Sequence, residues 1–227
     1  TDLVLMSMSR ASFPTYKAMC FVSNNLGLGD AMCANNIEVK TIETQMTKQF
    51  ATSIYFSLVS GIILAFPFLA YQIWAFVKPG LKPKEIKATS GIVAYSSLLF
   101  LIGVGFGYFV ISPLCIQFFG FYRMSQSIEL TPTFTSYYSL IVSSTIACGL
   151  FFQLPIVIFI LTKLGMMTPE VLKKYRKHAL VGILVLAAII TPPDFISQVI
   201  VAIPVSLLYE LSIGISRRVI KKQKADA

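Results

Sequence analysis

GIVAYSSLLFLIGVGFGYFVISPLCIQFFGF, residues 91–121, contains no charged side chain. As a helix it would be about 46 Å long at 1.5 Å per residue, longer than the roughly 30 Å hydrocarbon core of a bilayer. Helices of soluble domains usually stop by about 20 residues. Backbone in lipid has to satisfy its own hydrogen bonds, so the stretch reads as a transmembrane helix. The composition agrees. Of 227 residues 56% are hydrophobic and 13% charged, with a mean hydropathy of +0.74, whereas a soluble domain carries about 25% charged residues.

Working outward, the quoted run extends to 89–121, and further apolar runs cover 51–77, 134–164, 178–191 and 195–215. Four of the five meet the requirement of about 20 residues for a span. The fourth does not: its uninterrupted part, Ala179 to Ile190, gives a helix of about 18 Å. The expected fold is an all-α, polytopic membrane protein with five spans in this chain, the last two helices short. Pro67, Pro113, Pro155 and Pro204 each fall inside a different run. Each removes a backbone donor, so four helices are expected to bend and together to enclose a concave surface. Ser53, Ser57 and Gly61, like Gly103 and Gly107, recur every four residues and are expected to form close-packed helix seams. The GVGFG run lies mid-membrane without a preceding strand, which excludes a nucleotide loop.

Orientation follows from the basic residues. Lys78, Lys82, Lys84 and Lys87 separate the first two runs; Lys163, Lys173, Lys174, Arg176 and Lys177 separate the third and fourth; Arg217, Arg218, Lys221, Lys222 and Lys224 follow the last. Those three regions are placed in the cytoplasm by the positive-inside rule. The layout is then an extracytoplasmic region 1–48, a helical membrane domain 49–216 and a basic cytoplasmic tail 217–227. Residues 1–48 lack the basic-then-apolar pattern of a signal peptide, and the chain does not start with Met. An upstream span, making six, is the expectation. The +9 net charge is accounted for by orientation, not by nucleic-acid binding.

Cys20 and Cys33 fall in the outward region, where oxidation could join them. Spacing does not establish the geometry, and the pairing stays open. Cys115 and Cys148 sit inside apolar runs as small buried hydrophobes. Four cysteines and one histidine, none at ligand spacing, argue against a metal site. No cofactor motif is found. His178 has no nucleophile placed to pair with it and Asp194 stands alone, so no enzyme is read. The long runs carry no central charge, and Gln153 in FFQLP is the one strongly polar group singled out there. Its amide could bond across helices, either within this chain or to a partner. The rival reading is a small-solute secondary transporter or channel, which needs a membrane-centred site and is weakened by the absence of central charges and repeats. An inert membrane scaffold is a third.

FPFLAYQIWAFVKPGLKPKE (66–85) and TPPDFISQVIVAIPVSLLYE (191–210) resemble signature blocks of TatC, the polytopic receptor subunit of the twin-arginine protein translocase. CGLFFQLPIVIFILTKLGMMTPE (148–170) is similar to the family's fourth span. The resemblance runs in register from about residue 50 onward. It implies a multi-pass protein of the bacterial cytoplasmic (inner) membrane that binds the paired-arginine signal peptides of folded cargo and recruits single-span subunits of the TatA and TatB type. An oligomeric complex in lipid is implied, with no nucleic-acid partner.

The family's signal-binding glutamate aligns with Glu85, and Phe76, Pro79 and Lys87 match neighbouring positions. A carboxylate takes a guanidinium bidentately, which distinguishes arginine from lysine. Glu85 is the only acid among four lysines of its loop, so further acidic partners are needed. In the family a second acid comes from a cytoplasmic N-terminal segment that this chain does not contain. Pro192, Pro193 and Asp194 are expected to make a tight outward turn, shallow in the membrane because the preceding helix is short. Thr191 and Gln198 beside it match the family's docking surface for single-span partners. At Gln153 many members carry glutamate, and an amide cannot titrate, so no protonation change is expected there. Gln153 is read as a third docking point.

Overall fold

The computed structural model describes residues 42–43, 45–80, 91–121, 132–190 and 195–225, and these are helical apart from short connections. Helix α1 spans Met46–Val77 and tightens into a 3-10 turn at Lys78–Gly80. Next come α2 (Ile92–Phe106), a π-helical turn (Gly107–Ile111) and α3 (Ser112–Phe121), which form one rod. Helices α4 (Phe134–Phe151) and α5 (Leu154–Lys163) form a second, broken at Phe152–Gln153. A short α6 (Pro169–Lys174) leads to α7 (Arg176–Ile190) and α8 (Phe195–Ala225). Among the described residues, three helical stretches are long and apolar enough to cross a membrane: Met46–Gly80, Ile92–Ile116 and Phe134–Lys163.

The four run-breaking prolines divide into two kinds. Pro155 sits in the first turn of α5, where its missing N–H costs no helical bond. Pro113 follows the π-turn, in which the Ser112 N–H reaches back five residues to the Gly107 carbonyl. Pro67 and Pro204 lie inside uninterrupted helices instead. The last helix also corrects an expectation. It is 31 residues long, not short, and 217–225, read as a tail, continue it. The reason is visible in its burial pattern: Ser212, Ile213, Ser216 and Val219 keep one face packed past the end of the apolar run. Lysine and arginine propagate a helix well, and neither glycine nor proline stops it before Ala225.

Helix α4 is the hub, touching α1, α2, α3 and α7, while α5 lies along α8. Lipid tails are as apolar as leucine, so close approach rather than water exclusion holds such helices together. Gly103 and Gly107 supply that approach. A Cβ on Gly103 would stand 2.8 Å from the Cys148 carbonyl oxygen, and one on Gly107 2.8 Å from Thr145 Cα. From the other side, a Cβ on Gly149 would meet the Phe100 ring at 2.8 Å. The expected Ser53–Ser57–Gly61 seam does not form among the described residues. The Ser57 hydroxyl bonds back to the Ser53 carbonyl at 3.0 Å, and nothing lies within 4 Å of a Cβ on Gly61. Four-residue spacing fixes a helix face, not whether another helix covers it. In α1 the covered face is Thr52, Val59, Ala70 and Trp74; Phe66, on the same side, stacks on Phe100 with ring centroids 3.6 Å apart. Leu64, 80% exposed, and Phe68, 63%, point away from it, a surface suited to lipid.

Buried hydroxyls tie the remaining contacts. Ser112 and Ser144 Oγ lie 2.8 Å apart, within reach of the Gly107 and Leu140 carbonyls at 2.8 and 2.7 Å. Thr162 donates to Ser216 Oγ at 3.0 Å, joining α5 to α8. Removing Thr162 strands the buried Ser216 hydroxyl, whereas removing Ser216 leaves Thr162 its bond to the Ile158 carbonyl at 2.8 Å. Thr162→Val should lower stability by about 1 kcal/mol, Ser216→Ala by less, and the double variant by less than their sum. Denaturation in detergent by a double-mutant cycle measures this, and strict additivity would refute the pairing.

Candidate functional sites at the inward corner and in the bilayer

The corner expected to face the cytoplasm begins where α1 ends. Phe76 is 85% exposed in its last turn, and Pro79 stands exposed in the 3-10 turn that follows. Beneath them Trp74 turns inward, into a cluster with Ile92, Val77, Ile160 and Leu164. A Cβ on Gly80 would lie 3.5 Å from Leu164 Cδ2, so the turn rests on the end of α5. Phe76 and Pro79 are thus held outward by a packed foundation. Glu85 and Lys87, expected beside them, lie outside the described residues, as do Cys20 and Cys33.

Further bonds tie the segment that follows α5. Gly165 takes a left-handed backbone at φ 74°, closing α5 with a Met166 N–H to Leu161 carbonyl bond at 3.0 Å. Thr168 caps α6 by accepting from the Val171 N–H. The Tyr209 hydroxyl donates to the Leu172 carbonyl at 2.9 Å, and Arg176 pairs with Glu210 at 2.6 Å. That ion pair is half exposed and contributes at most about 1 kcal/mol, but it removes Arg176 from the free positive charge of this surface.

Gln153 occupies the break between α4 and α5. Its Oε1 accepts from the Ser96 hydroxyl at 2.7 Å and its Nε2 donates to the Ser96 carbonyl at 3.0 Å. The amide therefore clasps α2, using one donor and one acceptor and keeping a second N–H. Ser96 was not singled out in the sequence; a serine in an apolar run gives no sign of a partner 57 residues away. Gln198 in α8 donates to the Leu184 carbonyl of α7 at 2.8 Å, so its amide nitrogen holds the α7–α8 hairpin together. The turn joining those helices, Thr191, Pro192, Pro193 and Asp194, lies outside the described residues. Among the described residues the three places rest on different helix contacts: the end of α1 on α5, the α4–α5 break on α2, and α8 on α7.

Comparison with known proteins gives a consistent result. The family described as Sec-independent protein translocase protein (TatC) matches residues 4–204. The TatCy protein of Bacillus subtilis (strain 168) is 41% identical over 175 residues, which are 76% of this chain and 68% of that protein. TatC of Escherichia coli (strain K12) is 36% identical over 178 residues, 78% of this chain and 68% of its own. Among solved structures, a crystal structure of the twin-arginine translocase receptor TatC superposes with a TM-score of 0.71 at 33% identity, covering 95% of this chain and 93% of that one. A second, in the detergent DDM, gives 0.73 at 31% identity, covering 95% of each.

Proposed function

The chain belongs to the TatC family of Sec-independent protein translocases, and from that premise we propose that it is the subunit which reads paired arginines in the signal peptides of folded cargo. It is a membrane component of a protein-export machine, not an enzyme or a small-solute carrier. The observation that carries the finer reading is the exposed, braced corner at Phe76 and Pro79, which leads directly into the loop bearing Glu85. In this reading Glu85 takes the guanidinium groups, Phe76 and Pro79 offer apolar contact to the residues beside them, and Lys87 shapes the local charge. The chain crosses the inner membrane five times, with 1–48 outside.

A photoreactive residue at position 76 tests the site. It should crosslink to a bound precursor bearing two arginines and not to one bearing two lysines, while the same group at position 68, on the lipid-facing side of α1, should give neither product. Equal labelling at both positions would contradict the assignment.

Partner recruitment completes the proposal. Single-span subunits of the TatA and TatB type dock along the membrane surfaces near Gln153, Thr191 and Gln198, with the two amides using groups left over from their bonds inside the chain. Polar contacts of this kind are worth about 0.6 to 2 kcal/mol. Gln153→Leu should accordingly reduce crosslinking of a single-span partner about three- to thirty-fold; unchanged crosslinking and export would leave Gln153 only its structural bond to Ser96.

A further inference from the structure

A groove of about 440 Å³ opens between α2, α5 and α8, lined by Gly91, Tyr95 and Ile102 on one side and by Pro155, Phe159 and Ile215 on the other. Its size is that of a small-molecule site, usually about 300–1,000 Å³, but its lining is nearly all apolar. From Gly91 to Ile102 the α2 wall rises about 16 Å at 1.5 Å per residue, close to half of a hydrocarbon core of about 30 Å. The groove is therefore one leaflet deep.

Its mouth is cationic. Lys163 lies four residues beyond Phe159 on α5, and Arg218 three beyond Ile215 on α8, so each continues the groove-lining face of its helix by one turn. The Thr162–Ser216 bond fixes those two helix ends side by side. Arg218 is exposed, as is Lys78, whose turn rests on Leu164 through Gly80. Tyr95, 70% exposed at the same end of the wall, has the ring-and-hydroxyl form that settles at headgroup depth.

We propose that this groove holds one anionic phospholipid of the cytoplasmic leaflet, its acyl chain lying from Gly91 to Ile102 and its phosphate at Lys78, Lys163 and Arg218. Three features favour this occupant over an apolar helix: the one-leaflet depth, the cationic rim at one end only, and the interfacial tyrosine. The site rests on the cytoplasmic orientation of the lysine-rich ends and not on signal-peptide recognition, so either could fail alone.

The chain contains a single tryptophan, and it reports on this place. Trp74 is 9% exposed and packs in one cluster with Ile92, Ile156 and Phe159, which line the groove. In the full protein reconstituted in bilayers, dibrominated phosphatidylglycerol should quench Trp74 several-fold more effectively than dibrominated phosphatidylcholine at equal mole fraction. Each cation near the surface contributes about a five-fold preference, so replacing Lys78, Lys163 and Arg218 together with glutamine should bring the two lipids to near equality. Ile102→Phe, at an exposed position that tolerates bulk, should weaken quenching by both by filling the deep end. Equal quenching in the unaltered protein, a preference that survives loss of all three cations, or quenching indifferent to Ile102→Phe would each overturn the proposal. So would quenching that disappears as the protein self-associates, which would give the groove to a second copy of the chain.

Discussion

Gly107→Ala should destabilise the protein by about 1–3 kcal/mol, while Gly61→Ala should be neutral or slightly stabilising. The two glycines are both helical and both in membrane-depth runs, so intrinsic propensity gives alanine the same advantage, up to about 1 kcal/mol, at each. Surroundings decide the outcome. At Gly107 the added carbon would stand 2.8 Å from Thr145 Cα and 2.9 Å from the Ser144 carbonyl oxygen. Both are backbone atoms, which cannot swing aside as a side-chain tip can, so α2 and α4 would have to separate. That separation also loosens the Ser112–Ser144 contact, 2.8 Å long at the same crossing. At Gly61 nothing lies within 4 Å. Thermal denaturation in detergent should rank Gly107→Ala well below the parent and Gly61→Ala at or above it. Equal behaviour would mean that the α2–α4 crossing is not the close contact described.

Glu85→Gln should reduce binding of a paired-arginine signal peptide at least ten-fold and lower export accordingly. Hydrogen bonds to charged groups contribute about 1.5–3 kcal/mol, and a carboxylate offers a guanidinium two of them in parallel. Glutamine preserves the shape but not the charge. It would also leave Lys78, Lys82, Lys84 and Lys87 without an acid in their own loop, so an arriving pair of arginines would meet more positive charge there. Glu85→Asp should restore part of the binding, because it keeps the carboxylate and shortens only its reach. If Glu85→Gln bound the peptide as well as the parent, Glu85 would be no more than a solvated loop acid, and recognition would have to be sought elsewhere.

The parts of this protein that could be read from the sequence are those written in a single helix. Three apolar runs became helices able to span a membrane, and Gly103 with Gly107 formed the close seam their spacing suggested. What could not be read is pairing. Ser53, Ser57 and Gly61 carry the same spacing without a covering helix, and Thr162 meets Ser216 across 54 residues with no local sign that either hydroxyl has a partner. The end of α8 lies beyond the sequence expectation for a related reason. Hydropathy falls after residue 215, but a helix continues as long as one face stays packed, and Ser216 and Val219 keep it so. At the candidate site, Phe76 and Pro79 were singled out by family resemblance alone, whereas the packing of Trp74 and Leu164 beneath them depends on how α1 meets α5. Gln153 stood out as a lone amide in an apolar run, yet its bond to Ser96 could be seen only once α2 and α4 were set side by side.

The central claim is that this chain distinguishes arginine from lysine in a cargo signal. Equilibrium binding of a fluorescent signal peptide to the protein in lipid nanodiscs, with the arginine pair intact or replaced by two lysines, measures it directly. The net charge of the peptide is the same in both, so long-range attraction cancels and the geometry of the carboxylate contact remains. The arginine form should bind at least ten-fold more tightly, with the difference largely abolished by Glu85→Gln. Equal affinity for the two peptides would contradict the account.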